Sequence, residues 1–167
     1  MTLSASSESG LARRKLHAFF GQSLFVKAWF VPVWLCLGLA RAAICLTSFR
    51  RIAPRLGRDA GLDPWVPLAS NRTEARALEI SRVVRMAARY TPWTSDCYPQ
   101  AIVARGLMGL YGVPYMLFFG LRHGRSGQME AHAWITCGRI PVTGGAAFDR
   151  FTVVRQFKAP ALHWPAR

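Results

Sequence analysis

Apolar residues recur at spacings of three and four from Leu11 to about Arg58, with Trp34, Leu37, Ala40, Ile44 and Cys45 on one stripe, a period that predicts helix. Pro32 marks a helix start or a kink inside it. Arg50, Arg51, Arg55 and Arg58 close the segment with a basic tail. Gly57, Gly61, Pro64 and Pro67 then form the densest cluster of breakers in the chain, so residues 59–70 read as a linker. Asn71 and Glu74 have the spacing of a capping box. The stripe Ala77, Ile80, Val83, Val84, Ala87 predicts a helix from there to about Tyr90, with Arg76, Arg82, Arg85 and Arg89 mostly outside that stripe. Residues 91–96 break it. A second helix is expected from about Cys97 through Ile102, Val103, Leu107 and Leu110, capped by Ser95 or Asp96 and stopped by Gly112. Pro99 is tolerated there because first-turn amides have no intrahelical acceptor to lose.

After Gly112 the period changes from helical to alternating. The segment 113–121 is rich in aromatic and β-branched residues and predicts a strand, with Pro114 at its start or on a sheet edge. A polar loop over 123–128 leads to 129–137, where Glu130, His132, Trp134 and Thr136 alternate with Met129, Ala131, Ala133 and Ile135. Gly138 and Arg139 then turn the chain into a hairpin strand over 140–143. The layout expected is a polar tail over 1–10, a helical region over 11–58, the linker, and one α+β domain over 71–167.

Composition narrows this picture. At 167 residues the chain has room for one core, and with 51% hydrophobic and 18% charged residues it falls far from disordered compositions. The formal charge of +14 favours an acidic partner without choosing among nucleic acid, membrane and acidic peptide. The uncharged run Ala28 to Ala40 is 13 residues long and contains Pro32. A bilayer span needs about 20, so the run reads as a buried or partner-facing helix. The four cysteines form no CxxC pair, and no secretory signal opens the chain, which points to the cytoplasm.

Two residues carry the chemistry. Cys97 falls in the first turn of its helix, where unpaired amides and the positive dipole end should lower the thiol pKa and make the sulfur a nucleophile. His132 lies 35 residues downstream in mid-strand, and a nucleophile at a helix start with its base on a nearby strand suits thiol-based acyl chemistry. Asp149, the only carboxylate C-terminal to His132, is the candidate to orient the imidazole; failing it, Thr143 or a backbone carbonyl must do so. Trp93 is either a packing residue or an indole donor to an oxyanion. Cys97, His123, His132 and Cys137 show no ligand pair at zinc-site spacing, so neither metal nor cofactor is expected.

The runs Trp93-Thr-Ser-Asp-Cys97-Tyr-Pro-Gln, Tyr111-Gly-Val-Pro-Tyr, Phe119-Gly-Leu-Arg and Glu130-Ala-His132-Ala-Trp134 resemble the lasso-peptide biosynthesis B proteins over about residues 33–149. The resemblance implies a transglutaminase-like or papain-like cysteine protease fold. It implies leader removal from a ribosomal precursor peptide by a Cys97–His132–Asp149 triad. The partners it implies are that precursor and an ATP-dependent, asparagine-synthetase-like macrolactam synthetase. The family's aspartate usually comes sooner after the histidine, near Thr143 and Gly144 here. Many members also carry a winged-helix leader-recognition domain. No strand pattern for one occurs in the first 70 residues, so a separate leader-recognition protein is expected. Trp29, Phe30 and Trp34 are candidate anchors for it. Nucleic-acid binding is not expected, and contact of the apolar run with a membrane, as an interfacial helix, is the lesser alternative to a buried or partner-facing one. The alternatives are a transglutaminase-like acyl transferase or amidase acting on another peptide, and a non-catalytic basic module that binds nucleic acid or lipid.

Overall fold

A computed structural model describes residues 21–47, 49–52, 54, 56–62, 68–124, 127–145 and 147–159. The expected tail over 1–10, the start of the helical region and the prolines of the linker lie outside the described residues. The fold is α+β. Among the described residues four helices, α1 (Leu24–Leu46), the short α2 (Phe49–Ile52), α3 (Asn71–Ala88) and α4 (Cys97–Leu110), accompany five strands, β1 (Arg58–Gly61), β2 (Met116–His123), β3 (Met129–Cys137), β4 (Ile140–Thr143) and β5 (Thr152–Lys158). The strands form one antiparallel sheet in the order β1-β5-β2-β3-β4.

Helix α1 starts where the Ser23 hydroxyl accepts from the Val26 amide, and it runs uninterrupted through Pro32. Its buried residues Val26, Val33, Leu37 and Ala40 share one core with Ile80 and Val84 of α3, Leu107 and Met108 of α4, and Leu117, Ala133 and Ile135 of the sheet. The front helix therefore packs into the same core as α3, α4 and the sheet. Part of the expected linker is strand: β1 pairs with β5, Arg58 opposite Lys158. Gly57 makes that approach possible, because a Cβ there would lie 2.5 Å from the Lys158 carbonyl oxygen.

Helix α3 is capped one residue earlier than its sequence suggests. Ser70, with extended backbone, accepts from the Thr73 amide, and Asn71 becomes the first helical residue. Its stripe faces the core as expected, with Ser81 added: the buried Ser81 hydroxyl donates to the Val142 carbonyl at 2.6 Å and ties the helix to β4. Helix α4 ends at Gly112, whose φ of +62° suits glycine, and Val113 N–H returns to Met108 O at 2.8 Å. Pro114 precedes β2, but β2 is the central strand, so the proline marks a start and not an edge.

The alternation read in β3 holds, and it sorts two cores. Ala133, Ile135 and Cys137 face the helices. Trp134 packs with Met116, Phe118 and Ala147 on the other face.

Candidate active site

The first turn of α4 delivers Cys97 to the open edge of β3. Strand β4 pairs only with Ile135–Cys137, so the β3 edge at Ala133 is left without a strand partner. The Ala133 N–H reaches the Cys97 sulfur, as do the amides of Cys97 and Tyr98 from the helix start. These donors do not dominate. Burial pushes the Cys97 thiol above its ordinary value, and the neighbouring Asp96 carboxylate adds to the rise. The expectation of a lowered thiol pKa is thereby corrected: the helix terminus acts in the predicted direction but loses to desolvation. Asp96 is the N-cap residue by position only, since its side chain makes no capping hydrogen bond.

His132 is adjacent to Ala133 and is among the residues that line the cleft with Cys97, while its ring lies on the Trp134 face of β3, opposite the helix-facing Ala133. Its ring is caged on three sides. Phe151 stacks on it with centroids 4.8 Å apart, Trp134 stacks at 5.9 Å, and Nε2 lies 2.9 Å from the Gly144 carbonyl oxygen. A carbonyl only accepts, so Nε2 carries the hydrogen and Nδ1 is left as the basic nitrogen of the neutral ring. Among the described residues no hydrogen bond joins this ring to the thiol; what they share is the cleft and adjoining positions on β3.

The third triad position is where sequence and structure differ. Asp149 occupies an exposed turn over 148–150, and the structure does not bring it to the imidazole. Thr143 is buried, but its hydroxyl makes no hydrogen bond. The polar contact comes from the main chain of Gly144. Gly144 has φ +76°, and a Cβ there would collide with Trp134 Cβ, so the glycine is required for the carbonyl to sit where it does.

Trp93 packs against Trp34 at 4.7 Å and over Gly38 of α1. Its indole nitrogen is buried and has no partner among the described residues. Cys137 is fully buried on the helix side of the sheet.

The cleft has a volume of about 410 Å³. Tyr98, Phe119, Leu121, Ala131 and Val154 line it, together with Arg155. That arginine is already engaged, with Nε and Nη2 3.0 and 2.5 Å from Asp59 Oδ2. Burial also drives the Tyr98 hydroxyl up to about 12, so it stays protonated. The pocket beside the sulfur is thus apolar in character. Sequence reading offered a backbone carbonyl without saying whose, and missed Phe151, Val154 and Arg155. A pair of consecutive glycines and the β-branched residues Thr152, Val153 and Val154 were the available signals. Chemically, the arrangement offers a half-buried thiol, an imidazole of fixed tautomer, helix-terminal amides and an apolar cleft, which are the components of acyl transfer through a thioester.

Neither a curated protein nor a solved structure matches the chain significantly. Residues 40–156, well over half of it and spanning Cys97 and His132, match the family model of the transglutaminase-like superfamily, and the chain belongs to that superfamily.

Proposed function

We propose that this protein is a cysteine peptidase that removes the leader from a ribosomally made lasso-peptide precursor. In this reading it works with a separate leader-binding protein and an ATP-dependent macrolactam synthetase. Membership of the transglutaminase-like superfamily supports the coarser kind, a cysteine peptidase or acyl transferase. The observation that carries the reading is the placement of Cys97 and His132 in one apolar cleft, the sulfur on the Ala133 amide and the imidazole on the next residue back.

The chemistry follows from the protonation states. The resting site holds a thiol, since burial disfavours the thiolate. Activation is therefore general-base catalysis: substrate brings thiol and imidazole together, as catalytic contacts often close only in the complex. His132 Nδ1 takes the Sγ proton while Sγ bonds to the scissile carbonyl carbon. The resulting oxyanion is met by amides at the start of α4. The imidazolium, its Nε2–H held by Gly144 O, gives the proton to the departing amine as the C–N bond breaks. Water, deprotonated by the same nitrogen, then cleaves the thioester and releases the leader carboxylate. Phe119, Leu121 and Val154 present an apolar wall to the residues flanking the bond.

The test is mass spectrometry of the precursor incubated with this protein and the leader-binding partner. One cleavage, lost in Cys97→Ala and in His132→Ala, is the expected result. Cleavage by Cys97→Ala would remove the sulfur from the mechanism, and an amine-coupled product in place of a hydrolysed one would make the protein a transferase.

A further inference from the structure

Helix α1 has two apolar sides. One, carrying Val26, Val33, Leu37 and Ala40, is buried in the core. At 3.6 residues per turn the opposite side carries Leu24, Ala28, Val31, Leu35, Leu39, Ala42 and Leu46, and these are exposed, Leu39 at 71% and Leu35 at 53%. No charged or hydrogen-bonding side chain interrupts this face over the full 23 residues, about 35 Å of helix. The only charged residues of α1, Lys27 and Arg41, are both half-buried and fall along one border of the face. On the other border the surface continues into a groove of about 460 Å³ between α1 and α4, walled by Cys36, Leu39 and Ala43 on one side and Ile102, Gly106 and Leu110 on the other. An outward helix face this apolar is expected only where something covers it.

We propose that this face lies on an anionic membrane surface, with α1 parallel to the bilayer plane. Three observations select lipid over a protein partner. The face is aliphatic, whereas protein interfaces enrich aromatic residues and arginine and end in a polar rim. The aromatic residues of α1 that could have anchored a partner are half-buried and already engaged within the chain: Trp29 Nε1 donates to the Tyr111 hydroxyl at 2.7 Å, Trp34 Nε1 donates to Tyr90 O at 3.0 Å, and Phe30 packs on Tyr90. The formal charge of +14 complements anionic headgroups, and Lys27 and Arg41 sit where snorkelling cations of an interfacial helix belong. By length and composition α1 could also cross a bilayer. Its inner side is built into the domain core, so crossing would dismantle that core, whereas lying flat keeps it.

The experiment is flotation of the full chain with vesicles of phosphatidylcholine alone and of phosphatidylcholine mixed with phosphatidylglycerol, before and after raising the salt. Binding to the mixed vesicles that persists at high salt is expected, because the apolar contact is not screened. The double variant Leu35→Asp/Leu39→Asp should lower the partition coefficient by about tenfold or more. Leu68→Asp, at a 99% exposed site outside α1, should leave it unchanged. Near-UV circular dichroism confirms that the variants remain folded. Binding that salt abolishes and the double variant retains would reduce the contact to the arginines and overturn the proposal. So would the absence of vesicle binding together with a self-association that the double variant breaks, since a second copy would then cover the face. Cys97→Ala should bind as the parent does, which keeps this outcome separate from that of the peptidase reading.

Discussion

Nε2 of His132 lies 2.9 Å from the carbonyl oxygen of Gly144, and Asp149, in an exposed turn, makes no hydrogen bond or ion pair with the ring among the described residues. A neutral carbonyl fixes the same tautomer that a carboxylate would, but it lends less stabilisation to the imidazolium. Asp149→Asn should therefore keep precursor cleavage within about twofold of the parent, with an unchanged pH profile. His132→Ala should lose about a thousandfold or more. Gly144→Ala should lose activity and stability together, because its φ of +76° and the Trp134 Cβ leave no room for a methyl group. If Asp149→Asn costs a hundredfold, the carboxylate and not the carbonyl is the third member.

The thiol state gives a second prediction. Burial and then the Asp96 carboxylate hold Cys97 above its ordinary value, so in the free protein it should alkylate slowly at neutral pH. The exposed Cys36 and Cys45 should react first when iodoacetamide adducts are mapped by peptide mass. Asp96→Asn removes the carboxylate's share of the rise and should move the Cys97 alkylation profile to lower pH. Because the Asp96 side chain makes no capping hydrogen bond, the substitution should cost little stability. A Cys97 that outpaces the exposed cysteines at pH 7 would mean that the thiolate is already formed.

What the sequence disclosed and what it hid follow from locality. Strand β3 was legible because alternate residues of 129–137 separate the helix-facing Ala133 and Ile135 from Trp134 on the other face. Helices α3 and α4 were legible from their stripes, and Cys97 and His132 from residue type and order. Strand β1 was not, because Arg-Asp-Ala-Gly carries no apolar alternation and is a strand only by pairing with β5. Strand β5 hid behind the adjacent buried pair Gln156 and Phe157, which breaks the expected period. The Gly144 contact was illegible for a deeper reason: a carbonyl is common to every residue, and only the fold selects which one faces a ring. The raised Cys97 pKa is likewise a tertiary quantity, set by how much of the molecule closes over the helix end.

Alkaline pH should destabilise the fold. Cys137 is fully buried, and desolvation, then the Glu74 carboxylate, raises it from 9.0 to about 11. Below pH 9 the thiol is protonated in both folded and unfolded chains, and its contribution is fully present. Between about 9 and 11 the unfolded chain releases the proton while the folded one retains it, so the free energy of unfolding falls as pH rises across that window. Tyr98, raised from 10.0 to about 12 by burial, extends the decline. Urea midpoints measured just below pH 9 and near pH 11 should show the fall. Cys137→Ala, less stable overall, should show a shallower one. An equal slope in that variant would assign the alkaline loss to other groups.

Gly120 tests the cage around the imidazole. It pairs with His132 across β2 and β3, and a Cβ there would lie 2.8 Å from both Phe151 Cβ and Trp134 Cζ3. Those two side chains are the ones stacked on the His132 ring. Gly120→Ala must therefore displace part of the cage. Overpacking of this kind typically costs about 1–3 kcal/mol, and a shift of the ring should lower kcat more than it raises KM. Trp134→Phe shortens one of the two obstructing groups. The alanine should then cost less stability in the Trp134→Phe background than in the parent, a coupling that a double-mutant cycle in urea measures directly. Additive costs would show that the methyl group is accommodated by the backbone instead, and the loss of activity would then owe nothing to the packing of Trp134 against the histidine.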